Sequence, residues 1–66
     1  MNGILTAELK GKKQKKNITA VDSFDLTMKA ISYILNKAIN DEIWAKGHII
    51  LKDTFGKVLK EMPEKI

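Results

Sequence analysis

The chain contains no cysteine, a single histidine and no apolar run close to the length of a membrane-spanning helix. No disulfide can therefore stabilise the fold, and no thiolate can bind zinc or an iron–sulfur cluster. A membrane span needs about 20 consecutive apolar residues, and the first residues lack the basic and apolar segments of a secretory signal. We expect a cytoplasmic protein with no metal, no cofactor and no membrane partner, folded as a single domain over residues 1–66.

Arginine is also absent, so lysine supplies all twelve basic side chains. The net charge of +4 arises within residues 1–20, because residues 21–66 contain equal numbers of lysines and acids. A concentrated basic segment attracts polyanions, and lysine favours phosphate contacts over the reading of base edges. The alternative is a solvated loop that keeps the protein soluble. The candidate nucleic-acid-binding residues are Lys10, Lys12, Lys13, Lys15 and Lys16.

Groups that could perform catalysis are scarce. His48 is the only side chain that ordinarily titrates near neutral pH, and the chain offers no cysteine for it to activate. The adjacent acids Asp41 and Glu42 would point to different sides of a helix. The four glycines are scattered and form no phosphate-binding loop. We therefore predict that the protein is not an enzyme and has no catalytic residues.

The first third of the chain predicts a β-hairpin. Residues 3–10 alternate between apolar and polar side chains, which is the pattern of a half-buried strand. Residues 17–21 are rich in β-branched side chains and predict a second strand. The basic segment lies between them, so we expect it near the tip of the hairpin.

Residues 22–46 predict an amphipathic helix, with Asp22 or Ser23 as its N-cap. The helix ends either at Asn40-Asp41 or at Gly47. The helix carries one main apolar stripe and further apolar residues beside it, namely Leu26, Ile34 and Ile43. This wide apolar surface suggests a helix that is covered on more than one side. The main stripe, which we expect to face the core, consists of Phe24, Met28, Ile31, Leu35, Ala38 and Ile39.

Residues 48–62 allow two interpretations. Two short apolar runs separated by Asp53-Thr54-Phe55-Gly56 predict a second hairpin, because aspartate at the first position and glycine at the fourth suit a turn closed by a left-handed residue. The same residues also form an apolar stripe at helical spacing. Gly56 would then fall in the first turn of that helix, at a cost of about 1 kcal/mol. We favour the hairpin.

The predicted fold class is therefore α+β: two β-hairpins form a small antiparallel sheet, with one amphipathic helix packed on one face, in the order ββαββ. The helical interpretation of residues 48–62 predicts instead a ribbon-helix-helix dimer, in which a strand over residues 17–21 enters the DNA major groove. In the first fold one helix covers a single face of the sheet. A homodimer through the other face or an edge is therefore plausible.

The four aromatic residues offer two candidates for a protein interface. Trp44 follows the main helical stripe, and it either closes the edge of the core or anchors a partner. Phe55 would be exposed at the turn of the second hairpin. The basic segment itself contains no aromatic residue, which disfavours stacking of single-stranded bases within it.

Two functions are consistent with these patterns. The first is a small non-enzymatic binding protein that acts on nucleic acid or on a nucleoprotein enzyme. By analogy of size and pattern alone, it would be an accessory protein or a phage-type inhibitor, as anti-CRISPR proteins are. The second is a dimeric ribbon-helix-helix repressor. A structural scaffold whose lysines only maintain solubility is a third possibility.

Overall fold

The computed structural model describes residues 1–62, which form four strands and two helices. The elements in chain order are β1 (Asn2–Leu9), β2 (Lys12–Thr19), α1 (Ser23–Ala38), α2 (Glu42–Lys46), β3 (His48–Asp53) and β4 (Val58–Met62). The predicted ββαββ order is confirmed, with a short second helix added before β3. Neither helix is long and apolar enough to cross a membrane.

The four strands form one antiparallel sheet in the order β2-β1-β3-β4. Each hairpin contributes one central strand and one edge strand, and the pairing of β1 with β3 joins the two hairpins. The chain therefore leaves the edge strand β2, passes over one face through the two helices and returns beside β1. The opposite face of the sheet carries no other element among the described residues.

The first hairpin differs from the prediction in the position of its second strand. β2 begins at Lys12, not at residue 17, so most of the basic segment is strand and not loop. Only Lys10 and Gly11 form the turn, with φ angles of 52° and 81°. Two central residues with positive φ define the tight type I′ turn, whose twist matches that of the flanking strands. The tight turn allows Leu9 and Lys12 to pair directly.

We expect the substitution Lys10→Asn to stabilise the domain by about 0.5 kcal/mol, because asparagine occupies the left-handed region at a lower cost than lysine. For a domain of this size the melting temperature should rise by roughly 2–4 °C, as measured by circular dichroism. Lys12→Asn removes the same charge at an extended position and serves as the control. An equal rise in both variants would show that lost charge repulsion, and not backbone conformation, causes the effect.

The second hairpin confirms the preferred interpretation of residues 48–62. Oδ1 of Asp53 accepts hydrogen bonds from the backbone N–H groups of Phe55 and Lys57, both at 2.9 Å. Gly56 closes the turn with φ of 85°. The alternative helix in this segment, and with it the ribbon-helix-helix arrangement, is wrong. The aspartate and the glycine satisfy the backbone of a turn there, and the flanking β-branched residues extend as strands.

Asp22 is the N-cap of α1, since its Oδ1 accepts a hydrogen bond of 2.8 Å from the backbone N–H of Asp25. Asp25 in turn accepts from the backbone N–H of Val21 and forms an ion pair of 3.2 Å with Lys29. The hydrogen bond from Val21 and the neighbouring Lys29 both lower the pKa of Asp25. The two carboxylates thus accept hydrogen bonds from backbone N–H groups before and within the first turn, which stabilises the start of the helix.

Both predicted helix ends mark real boundaries. α1 ends at Ala38, and the chain restarts as the five-residue α2, where Asp41 is the N-cap and Gly47 the C-cap. Oδ1 of Asp41 accepts a hydrogen bond of 3.2 Å from the backbone N–H of Ile43. Asp41 therefore begins α2, and its own backbone N–H donates a hydrogen bond of 2.9 Å to the carbonyl oxygen of Lys37 in the last turn of α1.

The predicted core face of α1 is wrong. The buried residues of the helix are Leu26, Ala30 and Ile34, and not the main apolar stripe. The methyl groups of Leu26 lie where a side chain of Gly3 would be, at 2.7 and 3.0 Å from an ideal Cβ. The missing side chain at Gly3 and the small Ala30 let this face approach the sheet closely. Most of the main stripe consequently lies on the outer side of the helix.

The core is the layer between the helices and the covered face of the sheet. β1 contributes Leu5 and Ala7, and Tyr33 and Leu59 pack against its margin. The buried residues are Leu5, Ala7, Ile18, Ala20, Leu26, Ala30, Ile34, Ile43, Trp44, Ile49 and Leu51.

Candidate nucleic-acid interface

The five predicted lysines lie along one edge of the sheet but not on one face. Successive side chains of a strand point to opposite faces of the sheet. The pairing of β2 with β1 shows which face each β2 side chain occupies. Lys16 pairs with the buried Leu5, so the even-numbered residues of β2 face the helical layer. Lys13 and Lys15 project from the opposite, uncovered face, which we call the open face. Lys10 lies in the turn.

On the helical side, the β2 side chains contact the domain itself. Nζ of Lys16 lies 5.6 Å from the centre of the Tyr33 ring, within the range of a cation–π interaction. Gln14 accepts a hydrogen bond of 2.8 Å from Nε1 of Trp44 and donates one of 3.3 Å to Asp41. The glutamine that interrupts the lysine run is therefore a structural residue.

The open face brings together lysines that are distant in the sequence. It contains a shallow concavity of about 430 Å³, whose lining includes Lys13 and Lys15 from β2, Thr6 from β1 and Lys52 from β3. Among residues 1–62, no carboxylate lies within 4.0 Å of the ammonium groups of these three lysines. Their charges are therefore free of ion pairs with the described carboxylates and available to an anion in solution.

The carboxylates of this face lie at its ends and on the edge strand β4, where Glu61 pairs with Ile50. Two of them, Glu8 and Asp53, line the margins of the concavity. Glu8 occupies the register of Lys13, and Oε2 of Glu61 contacts Nε2 of His48 at 2.9 Å. Asp53, at the other end, accepts hydrogen bonds within its turn. In the middle of the face, two rows of paired residues run across β2, β1 and β3. These rows contain two lysines and no acid. They are Lys15–Thr6–Ile50 and Asn17–Ile4–Lys52.

Of the two aromatic candidates for a protein interface, one is buried and the other is exposed. Trp44 is only 1% exposed, so it closes the core and offers no surface to a partner in this fold. Its indole ring packs edge-on against Tyr33, with ring centres 5.2 Å apart. Phe55 is 94% exposed. Its neighbours Thr54 and Gly56 line the concavity, so the turn that carries Phe55 adjoins the open face, although Phe55 itself is not part of the lining.

Reasoning from the sequence predicted the exposure of Phe55 at the turn but missed the contribution of Lys52. Lys52 is polar within an apolar strand pattern, which indicated that it faces away from the core. Its proximity to Lys15 could not be inferred, because it depends on β3 pairing with β1. An exposed aromatic ring beside lysines is the usual arrangement in proteins that stack single-stranded bases.

No family model, curated protein or solved structure matches this chain in comparisons of its sequence and fold.

Proposed function

We propose that this protein is a small, non-enzymatic binding protein whose open face binds the phosphate backbone of a nucleic acid. The observation that carries the proposal is the shared position of Lys13, Lys15 and Lys52 on one shallow concave surface, unpaired with the described carboxylates. Three ammonium groups on one surface displace counterions from phosphates, which is the main source of affinity in binding without sequence preference.

The composition of the open face favours single strands over duplex. It carries no arginine that could read guanine in a groove. The exposed ring of Phe55 lies in the turn that adjoins this face, and an unpaired base can stack on it. Stacking on an aromatic side chain contributes about 1–3 kcal/mol per base and tolerates any sequence.

The partner could equally be a nucleoprotein enzyme, because the nucleic acid bound to such an enzyme presents the same phosphates to the open face. The protein would then act as an accessory factor or inhibitor, as small phage proteins do, and the cytoplasmic location expected from the sequence stays a prediction. Lysines on an edge strand also discourage pairing with another sheet. If that were their sole role, the protein would bind no nucleic acid.

The test is fluorescence anisotropy with a labelled single-stranded oligonucleotide and its duplex at low and moderate salt. We expect salt-sensitive binding that is tighter for the single strand. Lys13→Gln with Lys15→Gln should weaken binding at least about tenfold. It should also reduce the slope of log K against log salt by about 1.4 for a single strand, because two phosphate contacts are lost.

The matched control is Lys37→Gln with Lys46→Gln, which removes the same charge from the helical layer. Equal losses in both double variants would show an effect of net charge alone and would contradict a site on the open face. Phe55→Ala should weaken only single-strand binding. No binding by the wild-type protein at low salt would exclude direct contact with nucleic acid and leave a protein partner to be sought by pull-down.

A further inference from the structure

The outer side of α1 carries an apolar stripe that nothing in the described chain covers. Ile31 is half-buried at its centre, where the stripe adjoins the core. The exposed fractions of the other large side chains are Phe24 74%, Met28 48%, Leu35 65% and Ile39 77%. We call these five residues the outer stripe. It is distinct from the open face, because the helices cover the other side of the sheet.

The outer stripe is a large apolar surface for a domain of 66 residues. Four large exposed side chains present on the order of 400 Å² of apolar surface, which is comparable to the largest patch on an ordinary soluble protein. Here the patch lies on one 16-residue helix and on Ile39, which caps its C-terminal end. A contact between two such helices buries about half of the roughly 800 Å² per partner that is typical of specific interfaces, so we expect a weak dimer.

We propose that a second copy of this chain covers the outer stripe, with the two α1 helices packed antiparallel. The spacing of Phe24, Met28, Ile31 and Leu35 is four, three and four residues, which is the heptad spacing of helices that pack at a shallow angle. An antiparallel two-fold pair places Phe24 of one copy against Leu35 of the other, and Met28 against Ile31. By symmetry each of these two pairs occurs twice, which gives four layers of facing side chains, and every layer contains apolar residues from both copies.

This register is the reason to favour a second copy over an unrelated partner. The stripe is complementary to itself under two-fold symmetry, which is the commonest symmetry of soluble oligomers. The nearest charged residues on its polar flank, Asp25 and Lys29, already form an ion pair of 3.2 Å within one chain. The excess lysines belong to the first hairpin, so two copies meet without an accumulation of like charge at the contact.

The sequence suggests a homodimer through the uncovered face or an edge of the sheet, whereas the dimer proposed here forms through α1. It leaves the open face of each copy accessible and does not depend on nucleic-acid binding. The two proposals therefore fail separately: a variant of the outer stripe tests assembly, and a variant of Lys13 and Lys15 tests phosphate binding.

Sedimentation equilibrium over concentrations from about 5 to about 500 μM tests the dimer. We expect the wild-type mass to rise from that of the 7.4 kDa monomer toward twice that value. Leu35→Lys should weaken dimerisation at least about tenfold, because it places a lysine from each copy against Phe24 of the other in two of the four apolar layers. Asn36→Lys adds the same charge on the polar side of the helix and should leave dimerisation within about twofold of the wild type.

Circular dichroism of both variants establishes that each remains folded, since both positions are exposed. A wild-type protein that stays monomeric throughout the concentration range would overturn the proposal. So would a loss of dimer in Asn36→Lys equal to that in Leu35→Lys.

The antiparallel register has its own test, which the cysteine-free sequence makes simple. Phe24→Cys and Leu35→Cys chains are mixed in equal amounts in a glutathione redox buffer, and the disulfide-linked species are separated by mass. The proposed register predicts that the mixed Phe24→Cys and Leu35→Cys disulfide exceeds its statistical share. An excess of either homodisulfide, or a statistical mixture, contradicts the register.

Discussion

Replacing Trp44 with alanine is expected to unfold most of the protein at room temperature. The indole ring is the largest fully buried side chain, and it packs edge-on against Tyr33. Truncation of a buried tryptophan costs about 3–5 kcal/mol. A cysteine-free domain of this size rarely has more than about 3–5 kcal/mol of total stability. The variant also removes the donor that pairs with Gln14, so the effect combines a cavity with a lost hydrogen bond.

Thermal unfolding followed by circular dichroism measures this effect, because removal of the only tryptophan eliminates fluorescence as a probe. Trp44→Phe retains most of the apolar volume but loses the indole N–H, so we expect an intermediate stability. Phe55→Ala removes an exposed ring and should melt like the wild type. A cooperative transition of Trp44→Ala within a few degrees of the wild type would show that the ring is not central to the core.

Gly47→Ala is expected to produce the second largest loss of stability. An ideal Cβ at this position would lie 2.2 Å from the carbonyl oxygen of Ile43 and 2.7 Å from that of Glu8. Both contacts are with backbone, so no side chain can rotate to make room. Either α2 or β1 must shift, which costs about 1–3 kcal/mol by analogy with overpacked cores. The φ angle of −72° is ordinary for alanine, so the penalty is steric.

Gly56→Ala is the matched control, because it adds the same methyl group where no atom of residues 1–62 lies within 4 Å. Its φ of 85° is unfavourable for alanine and should cost about 1 kcal/mol through backbone conformation alone. Urea titration of the two variants compares the penalties directly. We expect the midpoint of Gly47→Ala to be the lower of the two. The reverse order would mean that the backbone around Gly47 relaxes without strain.

The local elements of this fold were predictable because each depends on neighbouring residues. The Asp53–Gly56 turn is formed by an aspartate that binds nearby backbone N–H groups and a glycine that accepts positive φ. The start of α1 depends in the same way on Asp22. The start of β2 was misplaced because lysines disfavour strands in isolation, whereas the tight Lys10-Gly11 turn and the pairing with β1 impose an extended conformation on them.

The face that α1 turns to the sheet was not predictable from periodicity. Two apolar faces are present on this helix, and the one with larger side chains is the outer stripe. Leu26 is buried because Gly3 lies beneath it, and the two residues are joined only by tertiary packing. Because the face with Leu26 packs on the sheet, the outer stripe stays exposed, and it is the surface through which we propose that two copies associate.

The sequence by itself determined the two hairpins, the position of the main helix between them and the presence of a basic segment, because turns, caps and charge are properties of short stretches of chain. Only the tertiary structure decided the rest. Pairing of β1 with β3 placed Lys52 beside the lysines of β2, and strand alternation divided those lysines between two faces. Trp44 became a core residue because Gln14, 30 positions earlier, satisfies its indole N–H. Such relations between distant residues arise from packing and register, which no local pattern encodes.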